Sequence, residues 1–209
     1  MTLAGLGYPT PYLGAFRGEA ERIAALMPAA QGALVWPPSG PTMSVLVEDE
    51  SLPLPDNTVD RLLAVHWLEM AERIRPRLRE IWRVLSPEGR LIMVVPNRRG
   101  VWARLDTTPF GQGRPYSRRQ LEKLLTDALF TPLDWGMALH APPFDRPIVL
   151  RSATAWERMG ARAWPSFSGV IIVEARKELV APIGKAAKAK AVRDVATVRG
   201  SNYRLDGGD

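Results

Sequence analysis

The sequence predicts an α/β fold: a mostly parallel, doubly wound sheet covered by helices in a three-layer sandwich. Three observations carry this. Val59, Leu62, Leu63, Ala64 and Val65 form one apolar run, and Leu91, Ile92, Met93, Val94 and Val95 form another. Neither run alternates polar with apolar, so each reads as a strand buried on both faces, the habit of parallel sheets. Between them Leu78, Ile81, Trp82 and Leu85 recur at i, i+3, i+4 and i+7, which is one helical face. Strand, helix and strand make a βαβ unit with a right-handed crossover.

The other elements follow in order. Thr2 to Ala4 reads as an abbreviated first strand entering Gly5-Leu6-Gly7. Glu19 to Met27 reads as a helix, with Ala20, Ile23, Ala24 and Met27 on one side and Pro28 beyond its end. Ala33 to Trp36 is a short strand halted by Pro37 and Pro38, and Val45 to Val47 leads to the acidic cluster Glu48-Asp49-Glu50. After the βαβ unit, Asn97 to Pro115 is a long connection containing Gly111-Gln112-Gly113. Ser117 starts a helix, and Gln120 three residues later completes a capping box; Leu121, Leu124, Leu125 and Ala128 supply the buried face. Leu133 to Leu139 is a sixth strand, Ile148 to Met159 a helix and Val170 to Ala175 the last strand. Two units are expected: residues 1–179 as one domain, and residues 180–209 as a basic Ala/Lys/Gly-rich tail, mobile or partly helical.

Composition narrows the function classes. A chain of 209 residues can bury one sizeable core. No segment reaches the roughly 18 apolar residues a membrane helix needs. Met1 to Gly5 lacks a basic segment and a long apolar run, so no secretory signal is expected and a cytoplasmic location is. With no cysteine, disulfides, thiolate catalysis and zinc–cysteine sites are excluded. Two histidines, His66 and His140, are too few for a dedicated transition-metal centre, so no metal is expected. The net charge of +6 favours acidic partners, but the excess is spread along the chain and no basic groove interleaves with aromatic residues. Nucleic acid is therefore not expected as a partner. No feature fixes the oligomeric state.

The run LPLPDNTVDRLL, followed by LREIWRVLSPEGRLIMVVPN, resembles the type-11 branch of the class I S-adenosylmethionine-dependent methyltransferases. Their pattern is an acid, then LPFPD-x-S-F-D, then a helix ending R-V-L-K-P-G-G-R-L. Glu48 to Glu50, Leu52 to Asp56, Val59, Asp60 and Arg83 to Leu91 stand in the corresponding places. The resemblance implies a Rossmann-like sheet with an antiparallel last strand and S-adenosylmethionine as methyl donor. In such a sheet the ligand lies outside the carboxyl ends of the strands.

It also implies site residues, with departures. The loop after the first strand, acid-x-G-x-G-x-G in that family, is represented by Gly5, Gly7 and Tyr8; the acid is absent and Pro9 replaces a glycine. The abbreviated strand has two explanations: residues upstream are missing, or a stunted strand leaves a more open pocket. The acid at the second strand end, which would accept bonds from the ribose hydroxyls, is replaced by Trp36, whose indole can stack but only donates, or which simply fills core or surface space. Weak cofactor binding is the expectation. Glu48, Asp49, Glu50 and Leu52 stand where the adenine would be met, and His66 and Trp67 would line the cofactor beside the methyl group. His66 is also a candidate base, since histidine as a residue type titrates near neutrality; a structural role at a strand end is the alternative. The acceptor pocket would be built from Asn97, Trp102, Phe110, Arg114, Tyr116 and the segment from His140 to Phe144, either as an aromatic lid with cationic anchors for an acidic acceptor or as a packed loop.

Two readings of function remain open on these residues. One is a methyltransferase acting on a small molecule or a protein side chain. The other is a methyltransferase-like domain that binds a partner without catalysis.

Overall fold

The computed structural model describes residues 1–104, 110, 113–142, 152–164 and 167–179. Seven strands form one sheet: β1 (Thr2–Gly7), β2 (Arg22–Pro28), β3 (Ser44–Val47), β4 (Val59–Val65), β5 (Leu85–Pro96), β6 (Phe130–Ala138) and β7 (Val170–Lys177). Their order is β3-β2-β1-β4-β5-β7-β6. β1 to β5 run parallel, and β7 pairs antiparallel with both β5 and β6. Among the described residues the α-helices are α1 (Thr10–Leu13), α2 (Ile74–Val84), α3 (Arg118–Asp127) and α4 (Ala153–Ala163).

The expected βαβ unit is present as β4, α2 and β5, joined in parallel register from Arg61 against Arg90 to Val65 against Val94. Leu78 and Ile81 are fully buried beneath the sheet, and Leu85, already in β5, is buried with them. The capping box forms as the residue types demand: Gln120 N–H donates to Ser117 Oγ at 3.3 Å, and Ser117 N–H donates to Gln120 Oε1 at 3.0 Å.

Strand alternation divides the core in two. Ala4, Leu6, Leu26, Leu62 and Ala64 face the layer of α2 and α3, with Leu78, Ile81, Leu121 and Leu125. Leu3, Ala25, Met27, Leu63 and Val65 face the other way and are covered by Leu13, Trp36 and Phe16. On that second face a four-residue helix and one indole do the work of a full helical layer beside β1 and β2.

Several expected elements are corrected. Residues 19–27 do not form a helix; Arg22 to Pro28 form β2, paired with β1 on one side and β3 on the other. The helical spacing of Ala20, Ile23, Ala24 and Met27 is also satisfied by the continuous apolar run from Ile23 to Met27, and a run that short is ambiguous until its neighbours are known. Ala33 to Trp36 is not a strand; it lies in the connection before β3 and is held there when Trp36 N–H donates to Ser44 Oγ at 3.1 Å. β1 is not abbreviated. It has six residues, because Gly5 and Gly7 lie inside it and pair with Leu63 and Val65 of β4. The last helix begins at Ala153 rather than at Ile148. Residues 148–151, residues 111–112, residues 143–144 and the 180–209 tail lie outside the described residues.

Candidate functional site

The motif that stands out in the sequence folds into a clamp. Arg83, near the end of α2, donates to the Leu54 carbonyl at 2.9 Å, the Leu52 carbonyl at 3.0 Å and Asp56 Oδ1 at 2.6 Å. It also bonds Glu80 at 2.8 Å, and Glu80 in turn accepts from Leu52 N–H at 3.0 Å. The Arg83 hydrogen bond holds the Glu80 carboxyl below its ordinary value, against the opposing effect of burial. Leu52, expected beside the adenine, is 3% exposed and belongs to the core. The signature therefore sets the entry into β4.

The strand order places a topological switch point between β1 and β4, where the chain leaves to opposite sides and a crevice opens at the carboxyl ends. Gly7 ends β1 with φ of +84°, and Tyr8 N–H donates to the Val65 carbonyl at 2.8 Å. A Cβ at Gly7 would lie 2.4 Å from the Val65 oxygen, so this close approach of backbones needs glycine whatever binds nearby. Tyr8 is half exposed at the rim. At Gly5 a Cβ would lie 2.5 Å from Cβ of Pro9 and 2.9 Å from Leu13. Pro9 and Leu13 thus occupy the space a side chain at position 5 would need. With Gly7 as the first glycine of the turn, Gly5 stands where the family pattern has its acid, and Pro9 stands at the second glycine. The two departures are one coupled replacement.

At the true second strand end the chain reads Met27-Pro28-Ala29-Ala30-Gln31, again without an acid. Trp36, expected there, is instead 8% exposed and packed with Leu3, Leu13 and Met27, with the Arg17 guanidinium 5.2 Å from its ring centroid. Of the three carboxylates after β3, Glu48 is exposed. Asp49 is buried, accepting from Trp67 Nε1 at 2.9 Å and pairing with Arg77 Nε at 3.1 Å. Glu50 is paired with Arg73 and lies 3.7 Å from Arg77. Trp67 itself is 1% exposed, a core residue whose indole N–H fixes Asp49 instead of facing the crevice.

The residue after β4 is held in an unusual pose. His66 has φ of +49°, donates its N–H to the Val94 carbonyl at 3.1 Å, and accepts at its own carbonyl from Gln31 Nε2 at 3.1 Å. Its Nδ1 lies 2.8 Å from Glu69 Oε1. The Phe110 ring meets His66 edge-on at 5.0 Å, and Trp102 meets Phe110 edge-on at 5.5 Å. Trp102 donates from Nε1 to the Ala141 carbonyl at 2.7 Å, tying this aromatic pair toward the segment after β6. Arg114 N–H donates to the Glu69 carbonyl at 3.0 Å and brings Tyr116 into the same neighbourhood. Burial pushes the Tyr116 hydroxyl above its ordinary value; Arg114 opposes this and Glu69 adds to it.

Six residues were expected to line the acceptor pocket. Phe110, Trp102, Arg114 and Tyr116 gather around His66 and Glu69 as just described. Asn97 is 2% exposed and its amide donates to the Ser168 carbonyl at 2.9 Å while its oxygen accepts from Arg99 N–H at 3.0 Å, so it braces the connection between β5 and β7. His140 is buried against α4, with Nδ1 3.0 Å from Glu157. Burial raises the Glu157 carboxyl, but its hydrogen bonds from the His140 ring and from the His140 and Ala141 backbone outweigh this and hold it low. Sequence reasoning missed Glu69 as a partner of His66 and Gln31 as its brace. The i, i+3 spacing of His66 and Glu69 was the available signal.

Residues 7–93 match the family model described as a methyltransferase domain. Solved structures of the same fold include a SAM-dependent methyltransferase from Archaeoglobus fulgidus, 12% identical, with a TM-score of 0.60 over 84% of this chain and 86% of that one. Another is the [4+2]-cyclase SpnF, 26% identical, with a TM-score of 0.57 over 86% of this chain and 75% of that one. A third is geranyl diphosphate C-methyltransferase from Streptomyces coelicolor A3(2), bound to Mg2+, geranyl diphosphate and S-adenosyl-L-homocysteine, 16% identical, with a TM-score of 0.58 over 84% of this chain and 70% of that one. No curated protein matches the chain. Over residues 7–93 the chain is similar to the methyltransferase domain family, and its fold is the one that these solved methyltransferase structures share.

Proposed function

We propose that this methyltransferase-domain protein binds S-adenosylmethionine weakly and transfers its methyl group to a small-molecule or protein acceptor at the carboxyl edge between β1 and β4. The observation that carries the reading is the juxtaposition of Gly7, Tyr8 and His66 at the switch point of a domain matched over residues 7–93. When bound, the cofactor supplies an electrophilic methyl on a sulfonium. The chain's own contribution is positioning: the demand of an in-line transfer is that the nucleophile be aligned about 3 Å from the carbon in a dry pocket. The Gly7 to Pro9 turn would hold the methionine part, exposed Glu48 is a carboxylate still available near the adenine, and Phe110 and Trp102 would exclude water above His66. No carboxylate follows β2 to accept from the ribose, which supports weak binding.

A location in the cytoplasm and action without nucleic acid remain part of this proposal. Among the described residues no helix is long and apolar enough to cross a membrane. The [4+2]-cyclase among the structural relatives is a reminder that the fold alone does not choose the reaction. The discriminating experiment is calorimetric titration with S-adenosylmethionine and S-adenosylhomocysteine. Binding in the range of about 10 µM to 1 mM, some −4 to −7 kcal/mol, is expected. No heat at millimolar ligand on folded protein would refute the reading.

A further inference from the structure

Three polar atoms at the switch point have no hydrogen-bond partner among the described residues. Glu69 is 5% exposed, and while its Oε1 meets His66, its Oε2 is buried without a hydrogen bond. Tyr116 is 9% exposed, and its hydroxyl is likewise buried and unpartnered. His66 spends Nδ1 on Glu69, and no second bond is made by its Nε2 among the described residues. A buried polar group left unsatisfied costs about 1–3 kcal/mol. Two such atoms in one neighbourhood, beside an imidazole with a spare nitrogen, mark a place completed by a ligand.

The donor and acceptor types say which ligand. Glu69 as a carboxylate only accepts, so it keeps the proton of a neutral His66 on Nδ1 and leaves a lone pair on Nε2. Tyr116 keeps its proton, since burial disfavours the phenolate, and so can donate. The ligand atom must therefore give a proton to His66 and accept one hydrogen bond from Tyr116. A hydroxyl does both. A carboxylate or phosphate gives no proton and would meet the unpaired Glu69 oxygen as a like charge. Among the described residues the charged and titratable groups around this spot are Glu69 from the turn after β4 and Arg114 and Tyr116 from the connection after β5, with the Phe110 ring at the His66 edge.

We propose that the acceptor carries an acidic hydroxyl, of the phenol or enol class, and that His66, oriented by Glu69, is its general base while Tyr116 holds the same oxygen. This rests on the methyltransferase reading. In the transfer, an oxygen lone pair forms the O–C bond, the C–S bond breaks with its electrons going to the sulfonium sulfur, and the hydroxyl proton passes to His66 Nε2. Glu69 acts through His66 and is a positioning residue.

Two readouts other than turnover test this. Nitrogen-15 NMR of the imidazoles at mildly alkaline pH should find His66 as the Nδ1–H tautomer, with the signal assigned by its loss in His66→Gln. In Glu69→Ala it should shift toward Nε2–H. An Nε2–H tautomer in the unmodified protein overturns the proposal. In the second readout 4-nitrophenol is added near neutral pH with S-adenosylhomocysteine at saturating concentration. Bound nitrophenol should gain phenolate absorbance, and His66→Gln should abolish the gain. Tyr116→Phe should weaken binding by about tenfold, the scale of one buried hydrogen bond. An undiminished gain in His66→Gln, or benzylamine binding as tightly as nitrophenol, overturns the proposal. If S-adenosylhomocysteine fails to bind at all, it is the methyltransferase reading that fails, and the tautomer still decides the dyad.

Discussion

The two halves of this sheet solve the same packing problem with different amounts of material. Between β4 and β5 an eleven-residue helix covers the sheet and Arg83 ties its end to the turn before β4 through three partners, the Leu52 and Leu54 carbonyls and Asp56, while both oxygens of Glu80 in the same helix hold the guanidinium. Between β1 and β3 the only α-helix is α1, four residues long, and the cover is completed by Trp36 from an irregular connection. The edge strand β3 leaves Val45 and Leu46 about half exposed. The well-built half carries the recognisable signature; the lean half carries most of the expected cofactor contacts. The strength of a family signature therefore measures how strictly the scaffold is specified, and the ligand side can drift while the scaffold holds.

The largest effect should come from breaking the stronger half. Arg83→Met strands two carbonyls and two carboxylates at once and should cost about 2–4 kcal/mol, read as a fall in the urea midpoint with an unchanged slope. Its pH dependence has a definite sign. Glu80 is held below its ordinary value of 4.5 in the folded state, chiefly by Arg83, so its contribution is complete above that value and is lost as pH falls through the lowered one. The urea midpoint of the unmodified protein should drop on acidification in that window, and Arg83→Met should flatten the drop.

A second test asks whether the lean half is a coupled redesign. Gly5→Asp restores the acid of the family pattern but sets its Cβ 2.5 Å from Pro9, so it should destabilise by about 1–3 kcal/mol. Adding Pro9→Gly should recover most of that loss. It should also tighten S-adenosylhomocysteine by about tenfold, measured by calorimetry, because the acid and the flexible turn are restored together. If the single variant is as stable as the parent, the coupling does not exist.

The smallest effect sharpens the position of the missing ribose anchor. Ala29 is exposed just after β2, so Ala29→Asp should leave the thermal midpoint nearly unchanged and tighten S-adenosylhomocysteine by about tenfold. Trp36→Asp places the acid at the site suggested by sequence alone. It should tighten nothing and should unfold the protein, since it buries a carboxylate in the core where an indole stood.

Legibility followed the same division. The βαβ unit and the capping box at Ser117 were readable because each rests on local spacing: apolar runs, a helical stripe, a hydroxyl three residues before an amide; the antiparallel direction of β7 came only from the family resemblance. β2 was misread as a helix because Ile23 to Met27 satisfies both periods, and only pairing with β1 and β3 separates them. That one error moved the second strand end from Pro28 to Trp36 and carried the ribose position with it. Within the site, His66 was visible as a lone histidine after a strand. Its partner Glu69, and Tyr116 in the same neighbourhood, were visible as residue types but not as neighbours of unmet hydrogen-bonding need.

By itself the sequence determined the layer architecture, the parallel centre of the sheet and the edge at which a ligand should sit, because hydrophobic periodicity is a property of neighbouring residues. Only the tertiary structure decided that Gly5 belongs to a strand and that Pro9 fills the space beside it. The same holds for Trp36 and Trp67 as core residues, and for Glu69 holding His66 while Tyr116 is left unpaired. Those facts depend on which atoms from distant segments share a few ångströms, and composition and spacing along one chain do not encode that distance.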